Sequence, residues 1–217
     1  MKKYDVIAEL REAVIEGKPE RAVAAAERVV ELQIDPVQAY EDGLKSGIST
    51  VGEGFANGAL FLPDLVLSAE TMKAAGQILE AEITRSGTER GKAGKVVLGT
   101  VQGDLHDIGK TILATLLISH GFNVVDLGVN VSVEDFIKAV KIENPDVLGM
   151  SSLLTVTAKE LQNVIRSLKE HNLRDEVKVV IGGGAVTAAN AEEIEADGYG
   201  QNAEMGVRMT KFLLGME

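Results

Sequence analysis

Through the first 86 positions apolar residues recur at helical spacing, as in Ile7, Leu10 and Val14 and again in Val23, Ala26 and Val30. That period predicts amphipathic helices, and no β-branched run bounded by turns interrupts it. The stretch "GKP" at 17–19 separates the first two helices, Asp35-Pro36 supplies an N-cap followed by proline at the first helical position, and "LPD" at 62–64 opens the last. Four helices follow, at roughly 3–16, 19–33, 36–53 and 63–84, arranged as a four-helix bundle over residues 1–86. The polar, glycine-bearing segment "RSGTERGKAG" at 85–94 reads as a linker, with its centre at 87–94.

From Lys95 onward the period changes. Short apolar runs, "KVVLGT", "NVVDLG", "DVLGMS" and "VKVVIGGG", each precede a helical stretch. Strands alternating with helices predict a parallel, doubly wound sheet of Rossmann or flavodoxin-like type over 95–217, with ligands at the carboxyl ends of its strands. The unusual loops all fall there: "GDLHDIG" after the first strand, "SSLLTVT" after the third and "GGGAVT" after the fourth. A ligand site at that edge is the economical reading.

Composition narrows the ligand. The chain has 217 residues and a net charge of −11, which repels nucleic acid and anionic lipid surfaces. There are no cysteines, so disulfides, thiolate zinc sites and cysteine-ligated clusters are excluded. No apolar stretch approaches the length of a signal peptide core or of a membrane span, so a cytoplasmic protein without membrane or nucleic-acid partners is expected.

The loop at 103–109 carries the chemistry. "GDLHDIGKT" is not a P-loop, because five residues rather than four separate Gly103 from Gly109, and Asp104 and Asp107 place negative charge where a phosphate would sit. Asp107 stands where helix 107–120 needs an N-cap. Asp104 precedes His106 by two residues, so its carboxylate can take one ring nitrogen while the other faces outward as a metal ligand. His120 and His171 lie elsewhere, and no paired ligand spacing exists. A single imidazole suits a metal whose other positions a macrocycle already fills.

The series Asp104-x-His106-x-x-Gly109, "SSLLTVT" and "GGG", behind the helical stretch "VGEGFANGALFLPDLVLSAETMK", resembles the corrinoid-binding (cobalamin-binding) proteins. These include the cobalamin module of methionine synthase and the corrinoid proteins of methanol, methylamine and betaine methyltransferase systems. The resemblance spans roughly residues 20–217. It implies a corrinoid cofactor, with His106 as the lower axial cobalt ligand, Asp104 as its hydrogen-bond partner, and the nucleotide tail displaced into the sheet domain. With them it places Leu105, Asp107, Ile108, Gly103 and Gly109 at the cofactor. Ser151, Leu153 and Thr155 offer further contacts, and Gly182, Gly183 and Gly184 permit close approach of the tail. Thr157 either joins the His–Asp pair or caps a helix. Tyr199 and Ala203, in "GYGQNA", would line the tail pocket. Phe55 and Leu62 match positions that cover the methyl-bearing face of the cobalt, although packing alone would also bury them. Glu41 aligns with a contact to the corrin edge.

The implied activity is that of a methyl shuttle rather than of a free-standing catalyst. A methyl group would be accepted on Co(I) from a substrate-specific methyltransferase, with a methylated amine or betaine as the expected donor. It would then pass to a corrinoid:folate or corrinoid:thiol methyltransferase, with a reductive activating protein keeping the cobalt competent. Once both domains are counted, no length remains for a (β/α)₈ barrel. The alternative is a corrinoid-dependent sensor or regulator, which the lack of room for a basic DNA-binding module disfavours. A radical mutase subunit shares the sheet fold but usually lacks the helical half.

Overall fold

The computed structural model describes residues 3–86 and 94–216. Two compact units emerge, one from the described part of residues 1–92 with the short segment 118–121, the other from 93–117 with 122–217. The expected linker at 87–94 lies outside the described residues except for Gly94.

The first unit is all-helical. Its rods are α1 (Lys3–Ile15), α2 (Pro19–Glu31), a composite rod and α5 (Leu62–Ser86). The composite rod comprises α3 (Pro36–Gln38), a π-helical segment (Ala39–Lys45) and α4 (Ser46–Ala56), joined without a break in helical backbone. Asp35 caps it as expected, its carboxylate accepting from the amides of Val37 and Gln38 at 3.0 and 3.3 Å. The core gathers Val6, Leu10, Val14, Ala26, Val29, Leu44, Ile48, Met72 and Leu79, all buried. The register of the rod's small residues decides how near α1 comes. A Cβ on Gly43 would stand 2.9 Å from Leu10 Cδ2, and one on Gly47 would stand 2.9 Å from Val14 Cβ.

The second unit is a five-stranded parallel sheet in the order β2-β1-β3-β4-β5. Its strands are β1 (Lys95–Thr100), β2 (Asn123–Asp126), β3 (Val147–Ser151), β4 (Lys178–Gly182) and β5 (Gly198–Gly200). The helices are α6 (Ile108–Ser119), α7 (Val133–Glu143), α8 (Ala158–Glu170), α9 (Ala188–Glu193) and α10 (Ala203–Leu213). Alternation along the strands sorts the side chains. Val97, Leu148, Met150, Val179 and Ile181 face α7 and α8 in one core, while Val96, Leu98 and Val180 line a cavity on the other face together with residues of α6 and α10. Because β1 and β3 are neighbours while the chain between them travels out to β2, their following loops diverge and open a crevice at the carboxyl edge. Among the described residues no helix is long and apolar enough to cross a membrane.

Candidate functional site

Asp104 is the hub of the crevice. It lies in the loop after β1, has no exposure to solvent, and its carboxylate collects five donors. Oδ1 accepts from His106 Nδ1 at 2.6 Å and from the His106 amide at 3.1 Å. Oδ2 accepts from the amides of Leu153 and Leu154 at 2.7 and 3.2 Å and from Thr157 Oγ1 at 3.1 Å. Burial alone would raise its pKa, but the bonds from the His106 ring and from the three amides overcome that and hold the carboxyl well below the usual carboxylate range. An ionised carboxylate can only accept, so the proton between the pair belongs to His106 Nδ1, and Nε2 is left as the ring nitrogen the pair does not engage.

The loop is shaped to present that ring. Gly103 has φ +82, and its amide donates to Asn130 Oδ1 at 2.8 Å. The Asn130 amide in turn donates to the Asp104 carbonyl at 2.9 Å. Thr100 Oγ1 donates to the His106 carbonyl at 3.0 Å. The imidazole keeps 52% of its surface exposed, and exposed apolar side chains stand along the same loops: Leu105, Ile108, Leu153 and Val156. Exposed leucines and isoleucines around one free imidazole nitrogen make a seat for a flat apolar ligand with a metal at its centre. Among the described residues no group of three or more His, Cys, Asp or Glu side chains could hold a metal by itself.

Thr157 stands at the N-cap position of α8, yet its hydroxyl makes no capping bond. It reaches Asp104 instead and also lies 2.9 Å from Ser152 Oγ. The Thr157 hydroxyl has two acceptors within reach, Asp104 Oδ2 at 3.1 Å and the Leu154 carbonyl at 2.9 Å, so its single proton is shared between them, and Ser152 can donate to Thr157 or to the same carbonyl at 3.2 Å. Asp107 precedes α6 and its backbone carbonyl accepts from the Thr111 amide at 2.7 Å. The Asp107 side chain is exposed.

A cavity of about 550 Å³ begins at Leu105, His106 and Asp107 and runs between the sheet and the pair α6 and α10. Ile108, Gly109, Ser151, Leu153, Gly182, Gly183, Gly184 and Ala203 all line it, as expected. At Gly183 a Cβ would lie 2.1 Å from the Ser152 carbonyl oxygen, so the loops after β3 and β4 touch backbone to backbone. Two expectations depart from this picture. Tyr199 packs with the core on the opposite face of the sheet, because it pairs in register with Ile181, and does not line the cavity. Thr155 is exposed and also lies off the cavity. The buried hydroxyl belongs to Ser152, whereas Ser151 is half-buried at the cavity wall.

In the helical unit, Phe55 is half-buried in the last turn of α4 and Leu62 half-buried at the start of α5, with the exposed Phe61 beside it. Glu41 is ion-paired with Lys45 on the π-helical segment. The roles of Phe55, Leu62 and Glu41 at a cofactor rest on resemblance alone. Sequence reasoning missed Lys110, which is buried in the first turn of α6, lines the cavity and meets Asp126 Oδ1 at 2.6 Å. A lysine placed among apolar residues in the first turn of a helical run, with an aspartate ending the next strand, was the available signal.

A doubly wound sheet with an outward-facing, carboxylate-held histidine at its switch point, accompanied by a helical unit, defines a protein that binds a metal-bearing macrocycle. The comparisons agree. Residues 94–208 match the B12 binding domain and residues 6–80 match a second B12 binding domain, and the chain belongs to this corrinoid-binding family. It is 42% identical over 212 residues to dimethylamine corrinoid protein 2 of Methanosarcina acetivorans, covering 98% of this chain and 97% of that one. It is 38% identical to trimethylamine corrinoid protein 2 of Methanosarcina mazei, covering 98% and 97%. The crystal structure of the methanol:cobalamin methyltransferase complex from Methanosarcina barkeri superposes with a TM-score of 0.86 at 30% identity, over 99% of this chain and 81% of that one.

Proposed function

We propose that this chain is the corrinoid-carrying methyl shuttle of a methyltransferase system acting on a methylated amine. It receives the methyl group from a substrate-specific methyltransferase and yields it to a second methyltransferase serving a thiol or folate acceptor, with a reductive activating protein as a third partner. The observation that carries the reading is His106, whose Nδ1 is bound to a buried carboxylate while about half of the side chain stays exposed among apolar side chains. Relatives named for dimethylamine and trimethylamine support the amine class.

When bound, the corrinoid supplies a cobalt that takes up and releases a methyl group. The chain's own residues would do the rest. His106 Nε2 would hold the cobalt, and Asp104 would fix the tautomer and balance positive charge on the ring. Thr157 and Ser152 keep Asp104 in place. Leu105, Ile108 and Leu153 would shield the lower face from water, and the cavity beside His106 would take whatever the histidine displaces.

Reconstitution with a corrinoid tests this directly. The Co(II) form should show nitrogen superhyperfine splitting from an imidazole by electron paramagnetic resonance, and His106→Ala should abolish it; unchanged splitting would remove the ligand assignment. Loaded protein should gain a methyl group only when a methylamine and its methyltransferase are both present. Uptake from the amine without that enzyme would contradict the shuttle role.

A further inference from the structure

The turn that carries Asp104 is gripped from the loop that follows β2. Residues 101–104 close tightly, with the Asp104 amide donating to the Val101 carbonyl at 3.1 Å and Gly103 at φ +82. Asn130 holds this turn at two points. Its Oδ1 accepts from the Gly103 amide at 2.8 Å, and its own amide donates to the Asp104 carbonyl at 2.9 Å. Both bonds are made from a backbone at φ +53, a left-handed conformation that asparagine enters more readily than other side chains of its size. Asn130 is itself anchored on either side. Before it, the Gly128 carbonyl accepts from the Thr100 amide at 3.0 Å, and the Gly128 amide donates at 2.9 Å to Asp126 Oδ1, the oxygen that also holds Lys110. After it, the Val131 amide donates to the Thr100 carbonyl at 2.9 Å, and Val131 forms a bridge with Val101.

The donors from the loop after β3 all end on the Asp104 carboxylate, whereas its main-chain carbonyl is taken by Asn130. Resting on the corrinoid-carrier reading, we infer that Asn130 is a positioning residue for His106: by fixing the main chain of Gly103 and Asp104 it sets where the imidazole stands and how well that ring can hold a cobalt. A carboxylate braced through its side chain alone can pivot with its backbone, and the ring bonded to it follows. Metal-ligating histidines depend on such partners behind them for orientation. Gly103 and Asn130 are both exposed, so water can replace Oδ1 at the Gly103 amide once the side chain is gone. Loss of the clamp is therefore felt in the placement of the ring and not in the stability of the fold.

The test compares the parent with Asn130→Gly and Asn130→Asp. Glycine keeps the left-handed backbone and the main-chain amide and removes only the acceptor, while aspartate puts an acceptor oxygen back in the same place. Each cofactor-free protein is titrated with hydroxocobalamin, and the loaded Co(II) form is examined by electron paramagnetic resonance for nitrogen splitting from the imidazole. Asn130→Gly should bind about ten-fold more weakly than the parent, with a smaller share of imidazole-ligated Co(II), and Asn130→Asp should return to within about three-fold of it. The urea midpoint of Asn130→Gly should stay near the parent's. Without any corrinoid, the Gly103 amide should exchange with deuterium about ten-fold more slowly in the parent than in Asn130→Gly. Parent-like affinity and nitrogen splitting in Asn130→Gly overturn the inference, as does an Asn130→Asp protein no better than the glycine variant or a Gly103 amide that exchanges equally fast in both proteins. A urea midpoint that falls along with the affinity overturns it too, because a general loosening of the fold then explains the weak binding. A parent that binds the corrinoid with no imidazole signature overturns instead the carrier reading beneath it.

Discussion

Replacing Thr157 separates its two possible employments, a helix cap and a prop for Asp104. In Thr157→Val the carboxylate loses one of its five donors. A hydrogen bond to a charged group contributes about 1.5–3 kcal/mol. Ser152 is not stranded, because its hydroxyl can turn to the Leu154 carbonyl 3.2 Å away, so the cost belongs near the middle, about 2 kcal/mol. Thr157→Asp is the sharper substitution. Aspartate is among the best N-caps, so a capping role predicts an unchanged or more stable protein. Beside Asp104 it would instead bury a second carboxylate within hydrogen-bond distance of the first, with an expected loss of about 3 kcal/mol or more at neutral pH. Lowering the pH should recover part of that loss as the inserted carboxyl takes a proton. With no tryptophan in the chain, urea unfolding is best followed by circular dichroism, with hydrogen exchange at the Leu153 and Leu154 amides as the local reporter. If Thr157→Asp stays within about 0.5 kcal/mol of the parent and those amides exchange no faster, the hydrogen-bond chain described here is not what Thr157 provides.

Asp104→Asn should lower stability by about 3 kcal/mol, since an amide cannot accept from every donor around it. Because the folded-state carboxyl is held below its ordinary 3.8, the stability it confers is fully present above that value and disappears as pH falls through the depressed folded value. The gap between parent and Asp104→Asn in urea titrations should therefore hold steady through neutral and mildly acidic pH and narrow only below 3.8. The Lys110–Asp126 pair should respond asymmetrically. Lys110→Met leaves Asp126 partly hydrated and should cost about 1 kcal/mol, whereas Asp126→Asn strands a buried ammonium and should cost about 3; equal losses in unfolding experiments would contradict the burial difference. Gly103→Ala should cost about 1–2 kcal/mol by chemical denaturation, because φ is +82 and the new methyl would press on Thr157 Cγ2 at 3.3 Å.

Much of this was written in the residue pattern. Helical spacing marked the rods of the first unit, and alternation of strand and helix marked the sheet, because both periods follow from which face is buried. His106 and Asp104 stood out because a short i, i+2 separation lets backbone geometry alone bring carboxylate to ring. Long-range facts were less visible. Nothing local says that Tyr199 and not its neighbours turns to the α7–α8 face; the register Ile181↔Tyr199 decides it. Two adjacent serines end β3, and only the approach of Gly183 to the Ser152 backbone shows which of them is enclosed. The π-helical segment at Ala39–Lys45 leaves the apolar positions close to ordinary helical spacing and so gives no periodic signal. Lys110 reads as a solvated helix residue until Asp126 is found across the first turn.

Three of the five donors that gather on Asp104 come from positions 49 to 53 residues further along the chain, and the cavity beside His106 is completed by Ala203, Gly206 and Thr210. During synthesis, which delivers the amino-terminal part first, the histidine and its carboxylate therefore emerge long before the amides and hydroxyl that hold that carboxylate in place. The ring acquires its fixed tautomer when β3 and its loop join β1, and the neighbouring chamber acquires its last wall only when α10 docks. Cofactor acquisition thus belongs to the finished protein and not to the nascent one, and a polypeptide stalled before residue 203 would carry the histidine motif without the means to retain what it binds.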